Sequence, residues 1–488
     1  MFIREVAVKN FRLFKDEFVL GESHIAVPNG RNLGSGLTVI VGENGVGKSS
    51  ILDAISFPLI SYRAETIQLS DFTDIQSPVE VLLGASSNFT VKKTMSGDFE
   101  ATGFRFIAKL REQNSTRYAV GTSVSEAYFV PVDATSFRQN SPDLRVAVDN
   151  PFAGSRFNEN DCLFIDKNRT KILESGTYSP TRFDRLLDNL NFLYLKANNN
   201  QPLRLHESLD SLINSSANEN TTESENTITI ENESLNEAFQ EFKDITGYTV
   251  ELNFIEDALP YKKAFLGFTD LNHKQIPIEK IGSGYQMFLA LICQQKISLQ
   301  SGKKLIMLID EVELHLHPKL QKALVDLLLK LSKDTQIILT SHSPELLKDL
   351  QRNKFHKIIS IVRSGTSLEV NPIDKFVLPL PTVSETNYVA FNLASMEYFI
   401  ELYNYFGEIN GCSSVTSIDR LFGVSNADLI EWKKEDGTTQ SLSTYSCIRN
   451  KFHHPSNTLN DSKFTMNYNS VARAINELRQ RIVPQTRF

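Results

Sequence analysis

A short glycine-rich segment near the N-terminus combines a lysine and a serine at a spacing that suits a chain of phosphates. The segment runs from Gly42 to Ser49 and has the pattern G-x-x-x-x-G-K-S. Backbone N–H groups at a helix N-terminus form a concave set of donors for phosphate oxygens. Lys48 would reach the β- and γ-phosphates, and the Ser49 hydroxyl would be a ligand of Mg²⁺. The residues expected to bind ATP here are Asn44, Gly45, Val46, Gly47, Lys48, Ser49 and Ser50.

Two adjacent carboxylates, Asp310 and Glu311, follow an apolar run much later in the chain. Asp310 would hold Mg²⁺ through water, and Glu311 would polarise the water that attacks the γ-phosphate. An Asp-Glu pair alone could be an exposed turn. The phosphate-binding segment favours the catalytic interpretation.

Two further segments carry donors for a γ-phosphate. Gly282-Ser283-Gly284 opens an apolar stretch, and its glycines allow close approach of the backbone to a ligand. We expect Ser283 and Gly284 to complete the ATP site of a second copy of the chain, opposite Lys48. His342 is expected to contact the γ-phosphate and to report its presence.

The elements that position these residues can be predicted from their hydrophobic pattern. Apolar runs at Leu37–Val41, Leu305–Ile309 and Gln336–Leu339 are typical of strands buried on both faces of a parallel sheet. Ser49–Phe57 has the pattern of an apolar helix. The motifs therefore lie at predicted strand ends or helix starts, which is the context that supports a phosphate-binding loop.

With these motifs in this order, the chain resembles ABC-type ATPases of the RecF, SMC and OLD branch. The resemblance covers Met1 to about Ser61 and about Ile276 to Leu350. Asn10-Phe11-Arg12 resembles the entry strand of that branch, and the stretch from Asp310 to Pro318 resembles its extended acidic motif. Within the branch, the chain looks most like the ATPase subunits of anti-phage systems: first the Septu- and retron-associated PtuA subunits, and second the PARIS ATPase subunit.

The resemblance implies ATP hydrolysis by a homodimer or higher homo-oligomer that forms around ATP and Mg²⁺. It also implies a separate nuclease effector subunit of the HNH or Toprim type, and contact with DNA or RNA. Gln68 and Gln76 remain equal candidates for the glutamine loop of the branch. His315 and His317 are interpreted as dimer-interface residues rather than a zinc site.

The predicted fold class is α/β: an ABC-type P-loop ATPase head with an antiparallel β lobe and a long insertion, plus a small C-terminal α-helical domain. The expected parts are the head in two halves (1–61 and 276–375), an inserted β-rich lobe with a helical segment (62–195), a flexible linker (196–232), a return segment (233–275) and the C-terminal domain (382–488).

Composition limits the partners. The chain has 488 residues and a net charge of −7, so any contact with nucleic acid must come from local patches of Lys and Arg. The candidate patches are Lys92-Lys93, Lys167 with Arg169 and Lys171, and Lys262-Lys263. Scattered cysteines and the absence of a long apolar run predict a cytoplasmic protein without a membrane segment.

The C-terminal region holds a second chemical pattern. Apolar spacing predicts helices at Glu385–Ile409, Ser443–Phe452 and Tyr468–Ile482. Arg449, Asn450 and His454 resemble the Arg/His motif of HEPN ribonucleases. The alternatives are a capped helix end and a partner-docking surface.

Three functions remain open from the sequence: an ATP-hydrolysing sensor or scaffold subunit of an anti-phage system, a RecF-like DNA-repair ATPase, and an ATP-gated ribonuclease toxin.

Overall fold

The computed structural model describes most of the chain in two compact units. The described residues are 2–60, 67–91, 99–110, 123–131, 160–167, 237–254, 264–269, 275–276, 281–300, 302–351, 354–365, 367–373, 376–423, 429–433, 437–454 and 467–483. The head unit comprises Met1–His342 and Asn353–Pro372, and the C-terminal unit comprises Ser343–Arg352 and Ile373–Phe488. The predicted linker (196–232) and the candidate patch residues Lys92, Lys93, Arg169, Lys171, Lys262 and Lys263 lie outside the described residues.

An antiparallel sheet of five strands forms one layer of the head unit, in the order β2-β1-β4-β5-β6. Its strands are β1 (Ile3–Lys9), β2 (Phe18–Leu20), β4 (Val79–Val91), β5 (Phe99–Leu110) and β6 (Ser123–Pro131). The antiparallel β lobe expected from the sequence is confirmed.

A second sheet of six strands carries the motifs, in the order β14-β13-β3-β12-β11-β7. Its strands are β3 (Leu37–Gly42), β7 (Asn160–Ile165), β11 (Lys304–Ile309), β12 (Gln336–Thr340), β13 (Lys357–Ser364) and β14 (Ser367–Pro372). All neighbours are parallel except β13 and β14. The three predicted buried strands are therefore confirmed, and their carboxyl ends meet at one edge of the sheet.

One cluster of buried apolar side chains joins both sheets and helix α1 (Lys48–Leu59). Phe11 packs edge to face on Phe57 at 5.6 Å between ring centroids. The buried amide of Gln336 adds a polar tie, because it accepts from the Ile3 N–H at 2.8 Å and donates to the Ile3 and Ala26 carbonyls at 2.5 and 2.9 Å. The N-terminal strand is thereby fixed to the amino end of β12.

Among its described residues, the head unit also contains a short 3-10 turn at Leu69–Asp71, a helical stretch at 237–246, a small sheet and two longer helices. The strands β8 (Thr249–Phe254), β9 (Ala264–Thr269) and β10 (Gln275–Ile276) form this sheet. Helix α2 (Ser283–Gln300) follows it, and helix α3 (Pro318–Leu331) follows the acidic motif. His317 caps α3, because its Nδ1 accepts from the Lys319 N–H at 3.2 Å.

The C-terminal unit is mainly helical and has its own buried core. Its elements are α4 (Pro344–Leu350), α5 (Val383–Phe391), α6 (Met396–Ile409), α7 (Val415–Leu421), β15 (Ile430–Lys433), β16 (Thr439–Leu442), α8 (Thr444–His453) and α9 (Tyr468–Ile482). Helix α4 groups with this unit although it lies within the range expected for the head.

The single helix predicted for Glu385–Ile409 is wrong, because the structure has two helices there. Asn392 adopts a left-handed conformation with φ of 55° and ends α5. Ser395 then starts α6 by accepting a hydrogen bond from the Tyr398 N–H at 3.2 Å. Among the described residues, no helix is long and apolar enough to cross a membrane.

Candidate functional site

The glycine-rich segment forms the turn between β3 and α1. Gly42 and Gly47 have φ of 141° and 93°, in a region that side chains disfavour. A Cβ on Gly42 would lie 2.3 Å from the Ile361 carbonyl oxygen, and one on Gly47 would lie 2.9 Å from the Phe14 ring. These two glycines are therefore required by close packing on both sides of the loop.

Lys48 is folded into this loop. Its side chain is buried, with 6% of the residue exposed. The Nζ donates to the carbonyl oxygens of Gly42 at 2.9 Å and Glu43 at 2.7 Å. Burial lowers the pKa of Lys48, and the nearby carboxylates of Asp310, Glu311 and Glu313 oppose that shift. The loop thus holds a cation at its centre, with carboxylates nearby.

Ser49 and Asp310 come together across the sheet edge. The Ser49 hydroxyl donates to Asp310 Oδ1 at 3.1 Å, and Asp310 is 4% exposed. The Thr340 hydroxyl donates to the same oxygen at 2.6 Å and accepts from the Glu311 N–H at 2.8 Å. A hydroxyl and a carboxylate that converge in this way are the oxygen ligands that Mg²⁺ uses beside phosphates.

Thr340 was missed by the sequence analysis. It lies at the carboxyl end of β12, and its residue type alone does not distinguish it from other buried threonines of the sheet. The signal in the sequence was its position. A hydroxyl at the carboxyl end of β12 lies beside the acidic pair that follows the neighbouring strand β11.

Glu311 and His342 lie on the turns that follow β11 and β12. Glu311 has φ of 46°, a left-handed conformation. Burial lowers the pKa of His342, and Lys48 lowers it further, while Glu313, Glu311 and Asp310 act in the opposite direction. The loop, the acidic pair and His342 therefore share one electrostatic environment.

Arg12 ties the entry strand to this region. Its guanidinium donates to Asp53 at 2.7 Å and to Asp71 at 2.8 Å, and it lies 3.4 Å from the Ser50 hydroxyl. Burial acts to lower the pKa of Arg12, but the two carboxylates outweigh it and raise the pKa. Arg12 thus fixes helix α1 to the segment around Asp71.

Ser283 and Gly284 are the first two residues of α2. The nearest atoms to a Cβ on Gly284 would be Leu316 Cδ2 at 2.4 Å and the His315 carbonyl oxygen at 3.4 Å. Gly284 therefore allows α2 to pack closely on the segment that follows the acidic pair. Ser283 is half-buried.

The C-terminal Arg/His motif lies at the end of α8. Arg449 donates to the side chain of Asn450 at 3.1 Å, and the His454 N–H donates to the Asn450 carbonyl at 2.8 Å. His454 is exposed and is the C-cap residue of α8. Burial lowers the pKa of His453, and Arg449 and His454 lower it further.

A parallel sheet with a phosphate loop after one strand and an Asp-Glu pair after another defines a P-loop ATPase of the α/β class. Residues 1–81 and 158–347, more than half of the chain, match the AAA ATPase domain family, and the chain belongs to that family. It therefore contains a nucleotide-binding ATPase domain.

Curated proteins and solved structures are similar to parts of this chain. The chain is 33% identical over 86 residues to the "Retron Ec83 probable ATPase" of Escherichia coli, a match that covers 16% of each protein. It is 17% identical to the Smc head domain from Pyrococcus furiosus bound to the C-terminal domain of ScpA, with a TM-score of 0.45 over 76% of this chain and 96% of that one. It is 14% identical to the Smc head domain with coiled coil and joint from Pyrococcus yayanosii, with a TM-score of 0.45 over 76% and 97%. Structural likeness this distant does not bear on function.

Proposed function

We propose that the chain binds ATP at the Gly42–Ser49 loop and hydrolyses it with Glu311 as the general base. The observation that carries this proposal is the convergence of Ser49 and Thr340 on Asp310, at the same sheet edge as Lys48. In the bound state, loop N–H groups and the Lys48 ammonium would donate to phosphate oxygens. Lys48 would exchange its bonds to loop carbonyls for bonds to the phosphates.

Ser49 and Asp310 are the residues that would hold Mg²⁺. The ion, when bound, neutralises charge that develops on the β- and γ-phosphates. The buried Asp310 is suited to this task because Thr340 fixes its orientation through a 2.6 Å hydrogen bond. The chemistry of this donor set therefore fits a hard divalent cation.

The hydrolytic step uses the turns after β11 and β12. Glu311 would take a proton from water as the water oxygen bonds to the γ-phosphorus and the bond to ADP breaks. The His342 imidazole would hydrogen-bond the γ-phosphate. The backbone of Glu311 is held by Thr340, so its carboxylate starts from a fixed position.

Steady-state ATPase assays with three variants test these roles. Glu311→Gln should keep ATP binding but lower kcat at least about a hundredfold, the range of general-base catalysis. Lys48→Ala should abolish binding. Glu369→Gln, which removes an exposed carboxylate from β14 of the same unit, is the matched control and should keep wild-type kinetics. Normal turnover by Glu311→Gln would remove Glu311 from the mechanism.

We also propose that two copies share two ATP molecules, each between Lys48 of one copy and Ser283 and Gly284 of the other. The position of Ser283 at the start of α2 supports this, since a helix N-terminus offers donors to phosphate. Ser283→Arg should keep ATP binding but block ATP-dependent association and hydrolysis.

The ATPase activity of a mixture of two inactive variants shows whether the sites are shared between copies or whether each variant is simply misfolded. A mixture of Lys48→Ala and Ser283→Arg chains should recover at most about a quarter of wild-type turnover, because random pairing gives half mixed dimers with one intact site each. Full activity of a strictly monomeric species would contradict the shared site.

We further propose that the ATPase is a sensor or scaffold subunit of a prokaryotic anti-phage defence system and controls a separate nuclease of the HNH or Toprim type. The similarity to a retron probable ATPase over 86 residues supports this context. Purification from the native operon tests it: a co-purified nuclease is expected, whereas a replication clamp or a recombinase would favour a RecF-like repair ATPase.

A further inference from the structure

Glu313 joins the turn after β11 to the turn after β12. It lies two residues beyond Glu311, and its Oε1 accepts a hydrogen bond from the His342 backbone N–H at 2.5 Å. A carboxylate bond to a backbone N–H is stronger than a neutral one. His342 is therefore held through its main chain by a residue that the Asp-Glu pattern does not include.

The other oxygen of Glu313 has an unusual environment. Oε2 is buried and has no hydrogen-bond partner within the described part of the chain. A buried carboxylate oxygen without a partner costs free energy that a shorter or apolar side chain would avoid. The negative charge of Glu313 also acts favourably on both Lys48 and His342. A carboxylate kept here at that cost points to a role for its bond to the His342 N–H in the site.

We propose that Glu313 is a positioning residue for ATP hydrolysis, which fixes the backbone of His342 and so holds its imidazole beside Lys48. The proposal rests on the proposed contact between His342 and the γ-phosphate. It adds that the turn after the acidic pair and the turn that carries the histidine act as one unit. When Glu313 is removed, His342 keeps its chemistry but loses its fixed place.

A glutamine variant distinguishes the hydrogen bond from the charge. Glu313→Gln keeps an oxygen that can accept from the His342 N–H, whereas Glu313→Ala has none. Glu313→Ala should lower kcat about tenfold, with the KM for ATP within about twofold of wild type, because a tenfold change needs only about 1.4 kcal/mol. Glu313→Gln should stay within about threefold of wild-type kcat.

A double-mutant cycle with His342→Ala shows whether Glu313 acts through the histidine. If it does, adding Glu313→Ala to His342→Ala should lower kcat no further. The proposal would be overturned if the two alanine substitutions lowered kcat by the product of their separate effects. It would also be overturned by wild-type kcat in Glu313→Ala, or by a Glu313→Gln variant as slow as Glu313→Ala. Wild-type kcat in His342→Ala would instead show that the histidine contact itself is wrong.

Folding is checked by the melting temperature of each variant. If Glu313→Ala does not fold, Glu313→Asp replaces it. Aspartate keeps the charge but is one methylene shorter, so it cannot reach the same N–H without a shift of the turn. It should show the same tenfold loss, and wild-type kcat in Glu313→Asp would overturn the proposal.

Discussion

Removing one hydroxyl from Thr340 should destabilise the head unit and misplace both acidic residues. Thr340 is fully buried, and its hydroxyl has two partners, the Asp310 carboxylate at 2.6 Å and the Glu311 N–H at 2.8 Å. Valine has the same shape but neither bond. The first bond involves a charged group and is worth about 1.5–3 kcal/mol. Loss of the second leaves the partly buried Glu311 N–H unpaired, at a cost of about 1–3 kcal/mol.

Because the two effects share one hydroxyl, we expect Thr340→Val to lower the free energy of unfolding by about 2.5–4 kcal/mol, the lower half of the combined range of about 2.5–6 kcal/mol. Urea unfolding followed by circular dichroism measures this. The same protein should also show a lower kcat, since Asp310 and Glu311 lose their shared orientation.

Thr335→Val is a matched control. Thr335 is also fully buried and lies just before the same strand, but within the described residues its hydroxyl accepts a neutral bond from Gln295 at 3.4 Å and contacts no charged group. Thr335→Val should lower the free energy of unfolding by less than about 1 kcal/mol. Equal losses in the two variants would show that the charged partner does not matter, and a Thr340→Val protein within 0.5 kcal/mol of wild type, about the size of an ordinary surface change, would refute the argument.

Three other outcomes follow from described contacts. Gly284→Ala should lower the free energy of unfolding by about 1–2 kcal/mol, because the new methyl group would be overpacked against Leu316. In the double variant, Leu316→Ala should relieve part of that loss, and additive losses would rule out the contact. Wild-type protein incubated with RNA and EDTA, with or without ATP, should not cleave the RNA, and products ending in 2′,3′-cyclic phosphate would contradict this expectation. His454→Ala should lower the free energy of unfolding by about 1 kcal/mol or less, because it changes only the end of a helix. Burial raises the pKa of Glu385 despite its bonds to the Val377 and Leu378 N–H groups and the nearby Arg479. The folded state therefore holds the proton more tightly than the unfolded state, and stability of the C-terminal unit should fall as pH rises from about 4.5 through the folded pKa, a slope that Glu385→Gln should remove in urea titrations.

The parts of the fold that follow from local pattern could be predicted from the sequence. The five apolar residues before Asp310 indicate a buried strand from their local pattern alone. The G-x-x-x-x-G-K-S turn between a strand and a helix indicates a phosphate-binding loop in the same way. The approach of Ser49 to Asp310 also follows, because parallel strands bring their carboxyl ends to one edge.

The remaining features depend on contacts between distant residues. Thr340 and Glu313 contact groups about 30 residues away in the chain. Their hydrogen-bond partners therefore do not follow from local spacing, although Glu313 lies within the acidic stretch that resembles the family motif. Asn392 interrupts a helix whose apolar spacing continues past it, because one residue in a left-handed conformation is invisible to periodicity. Gly284 was assigned to a ligand from its residue type, whereas the structure also gives it a packing role against Leu316.

The order of strands in the central sheet has a consequence for synthesis. Strand β3, which leads into the phosphate loop, pairs only with β12 and β13. Lys357, the first residue of β13, follows Gly42 by 315 positions in the chain. At roughly 5–20 residues per second, a ribosome needs on the order of 16–60 s to make that interval. For most of this time β3 has neither neighbour, because β12 begins only at Gln336, and we expect ATP to contribute little to early folding. We therefore expect the ATP site to be completed only after the second half of the head has been made.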